Sequence, residues 1–307
     1  MKKILLLSIL LLVFNCCFSQ NESSTLHDKY MQDDDYCKKM AEKGDAVAQN
    51  ALGTKLDLIF ANYVEALKWY NKSAAQGNAM ACLGIADCYY YGNGVTANNQ
   101  IAANWYKKAI ERQGCWALDI AFRGLAYCYF GVSPIQNYAE AYKWFKKATI
   151  ENTEDYESKY RIAWMLEYGK GVEKNLYEAA KLYISCADKR TDAALGAASC
   201  YYFGLGVAQN YSEAVKLWKK IILVYYEKAQ MAKEIGIDDF GEKEDTADAL
   251  YYLAECYTQG HGVSKDQNLA DMIKKYWSEK DYINAIWWII VEDAKTNARK
   301  DLEQFFK

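Results

Sequence analysis

Residues 85–95 read Ile-Ala-Asp-Cys-Tyr-Tyr-Tyr-Gly-Asn-Gly-Val, and the pattern returns three times. The copies are Ile-Ala-Trp-Met-Leu-Glu-Tyr-Gly-Lys-Gly-Val at 162–172, Ala-Ala-Ser-Cys-Tyr-Tyr-Phe-Gly-Leu-Gly-Val at 197–207 and Leu-Ala-Glu-Cys-Tyr-Thr-Gln-Gly-His-Gly-Val at 253–263. The first glycines, Gly92, Gly169, Gly204 and Gly260, lie 77, 35 and 56 residues apart, and the widest gap holds a degenerate copy near Gly131. Self-similarity with a period in the thirties marks a solenoid of stacked helix pairs.

A common register follows if the residue seven before each first glycine is numbered zero. Positions zero and one are then Ile85-Ala86, Ile162-Ala163, Ala197-Ala198 and Leu253-Ala254, and Leu52-Gly53 and Leu125-Ala126 match them in units whose loops have decayed. Position four is Leu56, Tyr89, Tyr129, Leu166, Tyr201 and Tyr257, and position minus four is alanine (Ala48, Ala81, Ala121, Ala193, Ala249) except at Ser158. At about 3.6 residues per turn these positions form one stripe, small where the next helix approaches and aromatic beyond. A second amphipathic segment follows each loop, as in Ala66 with Trp69-Tyr70, Ala102 with Trp105-Tyr106 and Ala141 with Trp144-Phe145. Later copies are Ala179 with Leu182-Tyr183, Ala214 with Leu217-Trp218 and, more weakly, Ala270 with Met272-Ile273. Lysines follow the aromatic pairs, where cations favour a helix C-terminus, and Gly44 and Gly77 stand as C-cap residues between units.

These motifs resemble the Sel-one-like repeat (SLR) family, a relative of the tetratricopeptide repeat. The resemblance implies an all-α fold, a right-handed α/α superhelical solenoid of about six helix-turn-helix repeats whose concave face binds proteins or peptides. The units are expected at 46–77, 79–114, 119–152, 157–190, 192–235 and 247–280. Residues 20–45 form a lead with a cap helix, and 281–307 a closing helix. Three departures stand out: the first and third units lack an intact loop, Pro134 sits in the third loop, and Ile221 to Asp245 adds sequence after the fifth unit's second helix.

Composition agrees with an array of helices. One proline in 307 residues fits a chain with few helix breaks, and 52% hydrophobic residues exclude disorder. A net charge of −3 gives no basic field for nucleic acid. Lys2 and Lys3, the apolar run Ile4 to Phe14 and the Cys17-Phe18-Ser19 site read as a signal peptide over residues 1–19, too short to span a bilayer. Cys16 or Cys17 is the alternative attachment point for a lipid anchor; the pattern favours cleavage after Ser19. The expected location is therefore periplasmic or secreted, with tethering to the cell envelope as the variant.

Catalysis finds little support in the chain. The loops lack both the preceding strand and third glycine of a dinucleotide site and the Gly-Lys-Ser/Thr of a phosphate loop, so they read as helix-to-helix turns. His27 and His261 are the only histidines; no zinc site can be drawn from them, and His261 is expected to face solvent in its loop. Asp33-Asp34-Asp35 and Asp238-Asp239 read as turns or helix starts before catalytic pairs. Cys88, Cys128, Cys200 and Cys256 all fall at position three, as small buried hydrophobes, while Cys115–Cys128 and Cys186–Cys200 are candidate disulfides. No cofactor or metal is expected.

What distinguishes the units lies opposite the core stripe, at positions two and five of the first helices. Asp87, Tyr90, Tyr127, Phe130, Trp164, Glu167, Tyr202 and Glu255 would there line an aromatic and acidic groove for a protein or peptide partner. Partial burial against the neighbouring unit is the competing account of the same residues. The expected function is a non-catalytic exported scaffold or adaptor. The alternatives are a cell-envelope enzyme acting on cell-wall material and a lipid-tethered structural envelope protein.

Overall fold

The structure is a computed structural model that describes residues 22–112, 114–235 and 243–305. The signal-peptide pattern and Asp238-Asp239 lie outside the described residues. Among the described residues there are helices and no strands. Two helices lead: α1 (Glu22–Gln32) and α2 (Asp34–Glu42). Six pairs follow: α3 (Ala46–Leu58) with α4 (Tyr63–Ala75), α5 (Ala79–Tyr91) with α6 (Asn99–Glu111), and α7 (Leu118–Phe130) with α8 (Tyr138–Glu151). The others are α9 (Tyr156–Tyr168) with α10 (Leu176–Cys186), α11 (Thr191–Phe203) with α12 (Tyr211–Ile235), and α13 (Lys243–Gln259) with α14 (Gln267–Ser278). Helix α15 (Tyr282–Phe305) closes the chain. The chain divides into two compact units, Met1–Ser158 and Lys159–Lys307, and within each unit consecutive helices pack on one another in chain order. The all-helical solenoid architecture expected from the repeats is the one observed.

Each second helix starts on an Asx cap. Asn62, Asn98, Asn137, Asn175 and Asn210 accept from the backbone N–H three residues on, and Asp266 does the same for Leu269. Such caps contribute about 1 kcal/mol each. The cap's own N–H donates to the position-four carbonyl of the first helix, for example Asn98 to Tyr89 at 2.7 Å and Asn210 to Tyr201 at 2.8 Å. One residue type thus begins the helix and closes the loop.

The two loop glycines have different physical jobs. Gly92 and Gly204 end their helices in the left-handed conformation, at φ 80° and 69°. At the second glycine the preceding pair's second helix comes so close that a Cβ would meet backbone: on Gly206 it would lie 2.1 Å from the Leu176 carbonyl oxygen, and on Gly262 2.6 Å from that of Tyr211. The decayed loops show what their loss means. The third loop leaves its helix with Gly131 extended at φ −67°. The first is cut to four residues between Leu58 and Tyr63, and Ala61 takes a positive φ of 51°.

The core follows the expected stripe. Ala48, Ala81, Ala121, Ser158, Ala193 and Ala249 are fully buried, so small side chains let neighbouring helices approach. Glycine extends the same device: Tyr70 lies against Gly53 and Gly84, Tyr106 against Gly124, and Tyr183 against Gly196. Each ring fits because the first helix has no Cβ there, and its burial is worth on the order of 2 kcal/mol. The position-three cysteines are buried as expected, with burial pushing the thiols of Cys88, Cys128 and Cys256 up to about 12. The candidate disulfides are corrected: Cys115, Cys128, Cys186 and Cys200 are all free, each in its own buried site.

One further region departs from expectation. The extra sequence from Ile221 does not follow the fifth unit's second helix but prolongs it: α12 runs to Ile235, burying Ile221, Ile222 and Tyr225. Residues 236–242 of it lie outside the described residues. In the first pair, Lys55 occupies position three and is buried, reached by Asp34 at the start of α2. Asp33, the first of the three consecutive aspartates, caps α2 through the Tyr36 N–H.

Candidate functional site

A tyrosine buried on a second helix brings a hydroxyl that must find a partner. The position concerned is four residues after the conserved-register alanine: Tyr70, Tyr106, Phe145, Tyr183, Trp218 and, counted from Ala270, Lys274. The partner sits at position two or five of the first helix in the same pair. Tyr70 reaches Thr54 and Asp57 at 3.5 and 3.4 Å, Tyr106 donates to Asp87, and Tyr183 donates to Glu167 at 2.7 Å. Lys274 pairs with Glu255 at 2.7 Å. This corrects the register of the last pair, where Ile273-Lys274 and not Met272-Ile273 holds the repeated place.

Where the second helix carries a ring without a hydroxyl, the acid gives way to aromatics. Tyr127 and Phe130 stand edge-on to Phe145, with centroids 5.2 and 5.9 Å away. Tyr202 lies 5.3 Å from Trp218, and Tyr252 stacks on that indole at 5.0 Å. The stripe is therefore matched to the helix beneath it, repeat by repeat.

This matching fixes what each predicted site residue can do. Asp87, Glu167 and Glu255 are engaged by the second helix of their own pair, so they do not stand as free acids in a groove. Burial pushes the Asp87 carboxyl up to about 6, against the opposing hydrogen bond from Tyr106. Tyr90 packs with Tyr91 and Tyr127 at 4.9 and 6.5 Å, and Trp164 packs with Tyr168 at 5.2 Å. Tyr127, Phe130 and Tyr202 belong to ring clusters and are half-buried. The first unit thus holds Asp87, Tyr90, Tyr127 and Phe130 on its stripe, and the second holds Trp164, Glu167, Tyr202 and Glu255.

The exposed part of the stripe is one residue further on. Position six holds Leu58, Tyr91, Tyr168 and Phe203, exposed by 50%, 69%, 56% and 51%. Position six is four residues from position two, hence beside it on the same helical face, and flanks it on the side away from position five. The sequence signal is plain in hindsight, an aromatic directly before the first loop glycine in three intact repeats. Large exposed aromatics on a rigid helix are suited to contact, because they offer area at low entropy cost.

The cysteines and histidines of the described residues sit in buried or half-buried places. A nucleophilic cysteine needs a depressed pKa, and burial raises all eight described thiols. His261 does not face solvent as expected: it is half-buried, stacked on Tyr211 at 4.2 Å, with Nδ1 3.3 Å from the Tyr202 hydroxyl. His27 is buried, and desolvation with the nearby Lys55 charge drives it down to about 4. Among the described residues no group of three or more His, Cys, Asp or Glu is placed to hold a metal. A cleft of about 390 Å³ at the α10–α11 turn is charged, but its ions pair internally: Arg190 grips Asp192 at 3.0 and 2.7 Å, and Lys220 holds Asp188 at 2.5 Å.

Comparison with known proteins agrees with the fold. The Sel1 repeat family model matches residues 46–78, 79–113, 122–151, 157–189, 191–222 and 247–270. The chain is 32% identical over 161 residues to human protein sel-1 homolog 2, covering 50% of this chain and 18% of that protein. It is 25% identical over 219 residues to an uncharacterized Sel1-like repeat-containing protein of Schizosaccharomyces pombe, covering 68% of this chain and 30% of that one. The chain thus spans less than a third of the curated relatives it matches. Among solved structures, a Sel1 repeat protein from Oxalobacter formigenes superposes with TM-score 0.57 at 27% identity, over 76% of this chain and 85% of that one. A protective antigen of uropathogenic Escherichia coli displaying an SLR fold gives TM-score 0.50 at 22% identity, over 85% and 71%, a likeness of fold.

Proposed function

We propose, from the premise that the chain belongs to the Sel1 repeat family, that it is a non-catalytic scaffold that binds a protein or peptide through the outward stripe of its first helices. The observation that carries this reading is the exposure of Tyr91, Tyr168 and Phe203 at one register position. These rings are the accessible edge of aromatic pairs whose inner members are packed, so each ring is held on its own helix before a partner arrives. Rigid aromatic anchors lose little entropy on binding. Buried, proton-holding thiols and internally satisfied carboxylates fit a binding role better than a hydrolytic one.

Export is part of the same reading. Residues 1–19 are a signal peptide, residues 20–45 the lead, 46–280 the repeats and 281–307 the closing segment. Cleavage after Ser19 gives a freely soluble exported form, and lipid on Cys16 or Cys17 gives a tethered one; the mass of the mature N-terminus separates them. The binding role is tested by affinity capture with wild type and a Tyr91→Ser, Tyr168→Ser, Phe203→Ser chain. The variant is expected to keep its helical circular dichroism and lose its partner. Retention of every partner would remove the stripe from the account.

A further inference from the structure

One ring on the array is already occupied by a cation of the chain. Tyr160 stands at position minus two of α9 in the repeat register. The guanidinium of Arg190, the residue before α11, lies 5.4 Å from the centroid of that ring. Asp192, at position minus five of α11, accepts from the same guanidinium at 3.0 and 2.7 Å. A ring face and a carboxylate together hold an arginine there.

The last pair repeats the two groups without the arginine. Tyr251 is position minus two of α13 and Asp248 position minus five, three residues apart and neighbours on one helical face. Glu244 stands one turn before Asp248 on that face. Trp277, at the end of α14, adds a second ring: its centroid is 5.9 Å from that of Tyr251, and its Nε1 donates to the Ala247 carbonyl at 3.0 Å. That bond fixes the indole against the turn that carries Asp248. Tyr251 and Trp277 are 44% and 39% exposed, and both carboxylates are exposed. Among the described residues neither carboxylate has an ion-pair partner, and no cation lies over either ring. Burial, then the charge of Glu244, push the Asp248 carboxyl above its ordinary value, and a cation beside it would relieve both carboxylates. Tryptophans elsewhere are covered by the chain itself. Trp69, Trp105 and Trp144 each carry the lysine three residues on, Lys72, Lys108 and Lys147, at 3.8, 4.0 and 4.3 Å. Three residues after Trp277 comes Lys280, which lies beyond α14 at a φ of 58° and leaves the ring open.

We propose that Trp277, Tyr251 and Asp248, with Glu244 beside them, bind an arginine side chain of a protein or peptide partner. A guanidinium suits the place better than an ammonium, because its flat face stacks on a ring while its edge meets a carboxylate. The site lies wholly within the second compact unit and uses none of Tyr91, Tyr168 and Phe203. It therefore adds to the scaffold reading and does not depend on it.

The test titrates the full, nitrogen-15-labelled chain with N-acetylarginine amide and with N-acetylcitrulline amide, its uncharged isostere. The reporter is the Trp277 indole N–H signal, assigned by its loss in Trp277→Phe. Arginine amide is expected to shift it saturably, with a dissociation constant on the order of 10 mM for a single side chain. Citrulline amide should bind roughly fivefold more weakly or worse, having neither the cation for the rings nor the ion pair. Asp248→Asn, a change at an exposed side chain, should weaken arginine amide by roughly threefold. No saturable shift with arginine amide, equal binding of citrulline amide, or unchanged affinity in Asp248→Asn would each overturn the proposal. So would a shift spread evenly over the other indole signals, which marks non-specific association. The wild-type comparison of the two amides does not depend on any variant folding. Failure here leaves partner contact at Tyr91, Tyr168 and Phe203 untouched, and failure of that contact leaves this site standing.

Discussion

Of the tyrosine rings that pack over glycines, Tyr106 over Gly124 is the tightest, and Gly124→Ala probes it directly. An ideal Cβ on Gly124 would lie 2.4 Å from both Cε1 and Cζ of Tyr106 and 2.8 Å from its hydroxyl oxygen. The ring cannot simply swing away, because it is buried and its hydroxyl donates to Asp87. Overpacking a dense core costs about 1–3 kcal/mol. Losing the hydrogen bond and leaving the Asp87 carboxyl unsatisfied adds about 1–3 kcal/mol. Alanine returns about 1 kcal/mol through its better helix propensity. The net loss expected is about 1–5 kcal/mol. Urea denaturation followed by far-UV circular dichroism measures it, and amide exchange places it, since repeat arrays lose stability locally. A Gly124→Ala, Tyr106→Leu chain should lose less than the two single losses added together. If Gly124→Ala alone sits within about 0.5 kcal/mol of wild type, the tyrosine-in-glycine packing is wrong.

Acid titration should separate two buried groups of opposite sign. His27 is held at about 4 against an ordinary 6.5, so the unfolded chain binds the extra proton and acidification through that window removes up to about 3 kcal/mol. Asp87 is held at about 6 against 3.8, so the folded chain binds the extra proton and acidification adds up to about 3 kcal/mol. Stability curves of His27→Gln should therefore rise as pH falls from about 6 to 4, and those of Asp87→Asn should fall; parallel slopes contradict both assignments. Lys55, 2% exposed and paired with the 75% exposed Asp34, stands where the fourth pair has Met165. Lys55→Met should be neutral or stabilising by about 1–2 kcal/mol, and Asp34→Asn should cost about 1–3 kcal/mol; chemical denaturation showing the reverse order refutes the pairing. Alkylation under denaturing, non-reducing conditions should label every one of the eight described cysteines, with slow labelling of the native chain. Intact mass showing a disulfide among them contradicts the structure.

The repeat unit was legible because helical periodicity and loop glycines recur in one register, and a stripe visible once is confirmed by its copies. The Asx residues that begin every second helix were present to be read, and so was the absence of glycine and proline from 221–235, which lets α12 run on. Partnerships across space were not. Asp87 and Tyr106 are 19 residues apart, Glu167 and Tyr183 are 16 apart, and only the folded pair shows that these acids satisfy buried hydroxyls. His261 looked like a loop residue because its stacking partner, Tyr211, comes from the preceding pair. Exposure at position six cannot be told from burial by residue type, because Tyr91, Tyr168 and Phe203 are as large and apolar as Tyr89, Leu166 and Tyr201 two residues before them.

The central claim, that the outward stripe of the first helices is the binding face, is tested most directly by site-specific photo-crosslinking. Benzoylphenylalanine replaces Tyr91, Tyr168 or Phe203 in the full chain, with Lys68 and Lys143, exposed on second helices, as control positions. Irradiation in extracts of the cells that make the protein should yield a discrete crosslinked species from each stripe position, with the attached segment identified by mass spectrometry. Crosslinks arising from Lys68 and Lys143 and absent at all three stripe positions would contradict the account.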